Sequence, residues 1–189
     1  MMMNVPNIMT FLRILMIPFL IVAYYLPFPI AHVLSSAIFL VACLTDWLDG
    51  YLARVLKQET PLGAFLDPVA DKLIVAAAVV LIIGHGKFDY LTFPSIVIIG
   101  REIAVSALRE WMAELGQRAN VAVSWIGKIK TTLQMVALIV LLCCGPQTSS
   151  WFITLGYVLF YGAALLTLWS MLAYFRAAWP QLSGKDGAS

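Results

Sequence analysis

The sequence predicts an all-α polytopic membrane protein of six transmembrane helices with a polar cavity opening toward the cytoplasmic side. Of its 189 residues 62% are apolar and only 12% charged, with a mean hydropathy of +0.91. That balance leaves too little polar surface to cover a water-soluble domain. The apolar runs have helix length rather than the short alternation of barrel strands, and in hydrocarbon only helices and closed barrels satisfy their own backbone groups. Short breaks with turn chemistry separate the runs, so consecutive helices run antiparallel.

About 20 apolar residues cross a bilayer, and the runs near 8–26, 33–53, 67–84, 93–113, 124–144 and 151–175 meet that measure. Pro27 and Pro29 end the first. The polar stretch from Lys57 to Pro61 ends the second, and Gly84 to Asp89 the third. Leu115 to Asn120 and Gly145 to Ser150 bound the fifth. No internal repeat, low-complexity tract or linker interrupts the pattern, which predicts a single membrane domain over 1–180 and a short polar tail over 181–189. Met1 to Ile8 lacks the positive charge of a cleavable signal, and Arg13 interrupts the apolar core such a signal needs. The first segment is therefore expected to stay as a span.

Charge gives the orientation. Among the 12 Lys and Arg residues, only Lys87 lies in the connections after spans one, three and five, whereas Arg54, Lys57, Arg118, Lys128, Arg176 and Lys185 lie near the opposite side. The positive-inside rule makes that side cytoplasmic. A net charge of +2 excludes the basic field that nucleic acid requires. Cys43, Cys143 and Cys144 have neither zinc-site spacing nor an even count, and read as packing residues. His32 and His85 fall at the far-side loops and read as surface residues.

The chemistry concentrates in four acids. Asp46, Asp49, Gly50 and Ala53 fall at i, i+3, i+4 and i+7, one stripe of a helix. Asp67 and Asp71 stand four apart at the start of the next helix, and a turn around Lys57 to Gly63 folds the second stretch back on the first. Each ionised Asp near hydrocarbon costs roughly 2.5 kcal/mol or more, and four together repel unless a cation sits among them. Oxygen-only ligands suit Mg²⁺ or Mn²⁺ rather than zinc or copper. Gly50 and Gly63 leave room for a ligand to approach the backbone, and the guanidinium of Arg54 suits a phosphate. Acids in a membrane also serve as ion or proton relays in transporters, and Asp, Gly and Pro gather in ordinary loops as well. Against a divalent-cation transporter stands the placement of the acids at one membrane face, with no matching set in spans four to six.

From Asp46 to Asp71 the sequence reads D-W-L-D-G-Y-L-A-R, eight residues, then G-A-F-L-D-P-V-A-D. This resembles the signature of the CDP-alcohol phosphotransferases, D-x-x-D-G-x-x-A-R, eight residues, G-x-x-x-D-x-x-x-D, with every fixed position filled. The resemblance implies a six-helix membrane enzyme that moves a phosphatidyl group from a CDP-linked lipid to an alcohol and releases CMP. It implies that Asp46, Asp49, Asp67 and Asp71 bind metal, and that Asp71 also acts as general base. Gly50, Ala53, Arg54 and Gly63, with Asp46, Asp49 and Asp67, would bind the CDP-lipid. Two ions bridging the diphosphate fit this picture. So does a homodimer.

Three further stretches, Asn4 to Arg13, Arg101 to Gly116 and Val121 to Gln134, resemble the bacterial members that take CDP-diacylglycerol and sn-glycerol 3-phosphate. The expected location is accordingly the bacterial inner membrane, with the active site facing the cytoplasm. Arg101, Arg109, Lys128 and Lys130 bring positive charge into spans four and five, where lone cations are expensive, and a pocket for the acceptor phosphate is one use for them. The alternative pairs Arg101 with Glu102 and lets the lysines reach lipid headgroups. Other acceptors, inositol phosphate or phosphatidylglycerol, serve sister enzymes. Thr10 and Arg13 are left outside the catalytic set, since Arg13 could equally anchor its helix at the interface.

Overall fold

In the computed structural model the described backbone covers residues 5–56, 61–84, 86, 88–114 and 125–182, and the described side chains are those at 7–48, 62, 63, 65–84, 86, 88–108, 110–112 and 129–176. Within these residues every regular element is a helix: α1 (Val5–Tyr24), α2 (Ala31–Leu56), α3 (Pro61–Gly84), α4 (Thr92–Glu114), α5 (Trp125–Cys143) and α6 (Ser150–Leu182). Each of the six overlaps one of the apolar runs read from the sequence. Among the described residues, α1, α2 and α6 contain stretches long and apolar enough to cross a membrane on that criterion alone, at Asn7–Tyr24, Ala31–Leu48 and Ser150–Arg176. α3 and α4 carry charge inside their apolar runs.

Helix ends follow local rules. α3 starts at Pro61 rather than near 67, because proline at the first helical position loses no hydrogen bond and has φ already set. Asp67 and Asp71 consequently lie well inside the helix and not at its start. Pro68, next to Asp67, cannot donate to the carbonyl four residues back, so the α-helical ladder is interrupted beside that acid. Beyond α3, Gly86 takes φ +66° and donates its N–H to the Ile83 carbonyl at 3.2 Å, a conformation glycine adopts without steric cost. α6 runs to Leu182, past the predicted end of the sixth span.

Two compact units emerge. The first comprises 1–89 and 138–156, the second 90–137 and 157–189. In the first, α1 packs along both α2 and α3, whereas α2 and α3 touch each other only sparsely among the described residues. Its core is Leu20, Ala23, Phe39, Ala42, Ala70 and Ala78, all nearly inaccessible, and the small residues allow helix axes to approach closely. Ser36 Oγ donates to the Ile139 carbonyl at 2.8 Å, tying α2 to the end of α5. His32 departs from the sequence reading. It is buried, with its ring edge-on to Tyr24 at 5.1 Å and its Cδ2 3.0 Å from where a Cβ on Gly145 would lie; glycine there leaves space for the imidazole. His85 lies outside the described residues.

In the second unit Phe160, Ala163, Ala164 and Ile98 are buried. Leu133 of α5 lies 3.5 Å from the place a Cβ on Gly162 of α6 would take. Large apolar side chains elsewhere face outward, among them Phe19, Val80, Ile96 and Trp169, each more than 60% exposed. Such surface is unfavourable in water and suited to lipid.

Candidate active site

The acids of the first unit converge on α1. Arg13, only 1% exposed, sets Nη1 3.1 Å from Asp46 Oδ1 of α2, and the same nitrogen donates a hydrogen bond to Asp71 Oδ1 of α3. One turn earlier Thr10 donates its hydroxyl to Asp67 Oδ1. Thr10 and Arg13 stand at i and i+3 on the buried face of α1, with Asn7 a further three residues back and also buried. The second and third helices thus meet through polar side chains of the first. The sequence reading had α3 folding directly onto α2.

This arrangement has an inner and an outer side. Arg13 is sealed within, while the side chains of Asp46 and Asp71 keep 42% and 39% of their surface open. The guanidinium offsets two carboxylates that stay part-exposed. A carboxylate presents several acceptor sites, and the set contains oxygen only, which matches hard divalent cations. Among the described residues no three acid, histidine or cysteine side chains stand close enough to hold an ion unaided. The side chain of Asp49 lies outside the described residues, as do those of Gly50, Ala53 and Arg54. Gly63 is buried near the start of α3.

A separate charged group lies in the second unit. Lys130 of α5, 2% exposed, donates from Nζ to Glu102 Oε1 at 2.6 Å, and Arg101 Nη1 reaches the same oxygen at 3.0 Å. Arg101 also donates from Nη2 to Ser170 Oγ of α6 at 3.3 Å and sits 5.9 Å from the centre of the Tyr174 ring, within cation–π range. Of the four cations assigned to an acceptor phosphate, Arg101 and Lys130 therefore come together around Glu102; the side chains of Arg109 and Lys128 are outside the described residues. Among the described residues two cations thus share one carboxylate.

The second unit also holds unmet polar atoms. Arg101 Nε, Gln134 Oε1 and Thr167 Oγ1 are buried without a hydrogen-bond partner among the described residues. Elsewhere helix hydroxyls bond back to the carbonyl four residues earlier, as Ser35 does at 2.8 Å and Ser95 at 2.7 Å. Thr167 lacks that bond, although its environment is just as dry.

Sequence reasoning missed Thr10 and Arg13 as partners of the acids, and Ser170 as a member of the cation group, whereas the pairing of Arg101 with Glu102 was one of its two readings. A signal existed for the first pair. An arginine within an apolar span marks a functional site by default, and polar residues at 7, 10 and 13 share one helix face.

Fold and site together define an all-helical membrane protein that holds acidic and basic side chains at depth within separate units of its helices. A family model described as CDP-alcohol phosphatidyltransferase matches residues 3–169, and the chain belongs to that family. It is 55% identical over 175 residues to a CDP-diacylglycerol–glycerol-3-phosphate 3-phosphatidyltransferase of Salmonella choleraesuis, covering 93% of this chain and 94% of that one. A protein of the same name from Pseudomonas fluorescens is 55% identical over 183 residues, covering 95% and 92%. Another, from Shigella flexneri serotype 5b, is 53% identical over 175 residues, covering 93% and 94%.

Proposed function

We propose that the protein transfers the phosphatidyl group of CDP-diacylglycerol to sn-glycerol 3-phosphate, forming phosphatidylglycerophosphate and CMP. The observation that carries this is the filled family signature from Asp46 to Asp71 in a chain that matches transferases of that name over nearly its whole length. In the reaction a hydroxyl oxygen of the acceptor bonds to the β-phosphorus of the lipid diphosphate. The bond from that phosphorus to the bridging oxygen breaks, CMP departs with the electron pair, and the hydroxyl proton passes to Asp71.

Asp46, Asp49, Asp67 and Asp71 would hold Mg²⁺ or Mn²⁺, as an oxygen-ligated pair of ions. Bound there, such ions supply charge neutralisation for the diphosphate. The oxygen-only donors and the open outer faces of Asp46 and Asp71 support that role. Arg13 aims Asp71, and Thr10 aims Asp67. Gly50, Ala53, Arg54 and Gly63 accommodate the nucleotide. Arg101, Arg109, Lys128 and Lys130 take the acceptor phosphate, a role supported by the two cations that share the Glu102 carboxylate.

The enzyme is a six-span, single-domain protein of the bacterial inner membrane, with its active site facing the cytoplasm. The distribution of Lys and Arg supports the orientation; family resemblance supports a homodimer. The test is purified protein in detergent with CDP-diacylglycerol and one acceptor at a time, following CMP. Release is expected with sn-glycerol 3-phosphate, abolished by chelator and restored by Mg²⁺ or Mn²⁺. Release only with another alcohol, or metal flux in sealed vesicles without CMP, would remove this reading.

A further inference from the structure

Among the described residues of the second unit, several polar atoms are consumed by one another: Glu102 receives Lys130 and Arg101, and Ser170 receives Arg101. Two of the atoms left over are of opposite kinds. Arg101 Nε–H is a donor on a cation, and Gln134 Oε1 is a neutral acceptor; both are buried without a partner among the described residues. Gln134 is 3% exposed, against 2% for Lys130. An amide carbonyl at that depth in an apolar helix is unfavourable unless a donor reaches it. The ligand that meets both needs has an anionic end and a hydroxyl.

Lys130 shares the Glu102 oxygen with Arg101 and stands one helical turn from Gln134. Lys130 and Gln134 are i and i+4 on α5, on one face and about 6 Å apart along the axis. That is comparable with the reach from the phosphate of a three-carbon ester to its hydroxyls. Of two hydroxyls on such an acceptor, the one that attacks phosphorus must surrender its proton to a base. A neutral amide carbonyl is no base, so it suits the hydroxyl that does not react.

We infer that Gln134 determines acceptor specificity by accepting a hydrogen bond from the non-reacting hydroxyl of a short polyol monophosphate, while Arg101 Nε–H donates to its phosphate. The inference rests on the transfer reaction proposed above. It adds a residue that reads the polyol, where charge alone would accept any phosphate monoester. Arg101 and Lys130 attract; Gln134 selects.

The experiment compares sn-glycerol 3-phosphate with 3-hydroxypropyl phosphate, which keeps the terminal hydroxyl and phosphate but lacks the middle hydroxyl. Both are assayed by CMP release from CDP-diacylglycerol in detergent. Wild-type protein should favour sn-glycerol 3-phosphate by about 10- to 100-fold in kcat/KM, the range for one buried hydrogen bond left unmade. Gln134→Met, similar in volume, should bring that ratio to within about threefold of unity and leave the KM for CDP-diacylglycerol unchanged. Gln134→Asn, shortened but still an amide, should fall between. Equal use of both acceptors by the wild type overturns the inference whether or not any variant folds, as does an equal loss on both in Gln134→Met. Release of CMP with neither three-carbon phosphate instead sinks the reaction itself.

Discussion

Arg13 of α1 hydrogen-bonds to Asp71 of α3 while the same nitrogen stands 3.1 Å from Asp46 of α2. One buried cation therefore gathers two of the signature acids before any substrate arrives. Asp71, the proposed base, is thereby held in place by a side chain of a neighbouring helix.

Asp71→Asn separates holding from proton transfer. Asparagine keeps an oxygen to accept from Arg13, so the junction of α1 and α3 should persist, but the amide cannot take the acceptor proton. CMP release should fall by about 10²- to 10⁴-fold, with binding of CDP-diacylglycerol largely retained in a direct binding assay. Turnover near the wild-type rate would remove Asp71 as the base.

Arg13→Gln tests the junction itself. Two carboxylates lose the charge that offsets them, and the expected loss of stability is about 1.5–3 kcal/mol, the range for a hydrogen bond to a charged group, toward the lower end because the acids are part-exposed. Thermal melting in detergent reads it. Combining Arg13→Gln with Asp71→Asn should cost less than the two changes summed, by at least about 0.5 kcal/mol; strict additivity would show that the contact contributes nothing.

The helices were legible because hydropathy and turn residues report burial in lipid directly, and the aspartates because their spacing is so specific. Partnership was harder. Asp46 and Asp71 lie on helices that scarcely touch, and nothing in their own spacing shows that Arg13 joins them; that depends on α1 packing along both. His32 looked like a loop residue because it follows Pro27 and Pro29, yet a glycine far along the chain, Gly145, makes its burial possible. For Arg101 the sequence left a choice between phosphate and Glu102. The structure shows the ion pair and also an unmet donor on the same guanidinium.

Gly156→Ala should weaken the first unit. A Cβ there would lie 2.7 Å from Leu141 Cδ2 and 3.0 Å from its Cγ, and Leu141 is fully buried. The leucine must shift against a packed core, at about 1–3 kcal/mol for overpacking. Leu141→Ala in the same chain should recover part of the loss. An unchanged melting temperature in Gly156→Ala would mean that α5 and α6 do not approach this closely.

Glu102 holds both cations of the second unit, so its removal and theirs should be distinguishable. Lys130→Gln deletes a charge that draws the acceptor phosphate, and the KM for sn-glycerol 3-phosphate should rise about 10-fold or more, with little change in that for CDP-diacylglycerol. Glu102→Gln keeps an acceptor oxygen but leaves Arg101 and Lys130 to repel each other in a dry environment. Stability should fall, while the positive charge available to an anion increases. Inorganic phosphate should then raise the melting temperature of Glu102→Gln more than that of the wild type, because a ligand that binds only the folded form stabilises it. If phosphate protects both proteins equally, the pair with Glu102 does not compete with anion binding, and Arg101 and Lys130 serve only to join their helices.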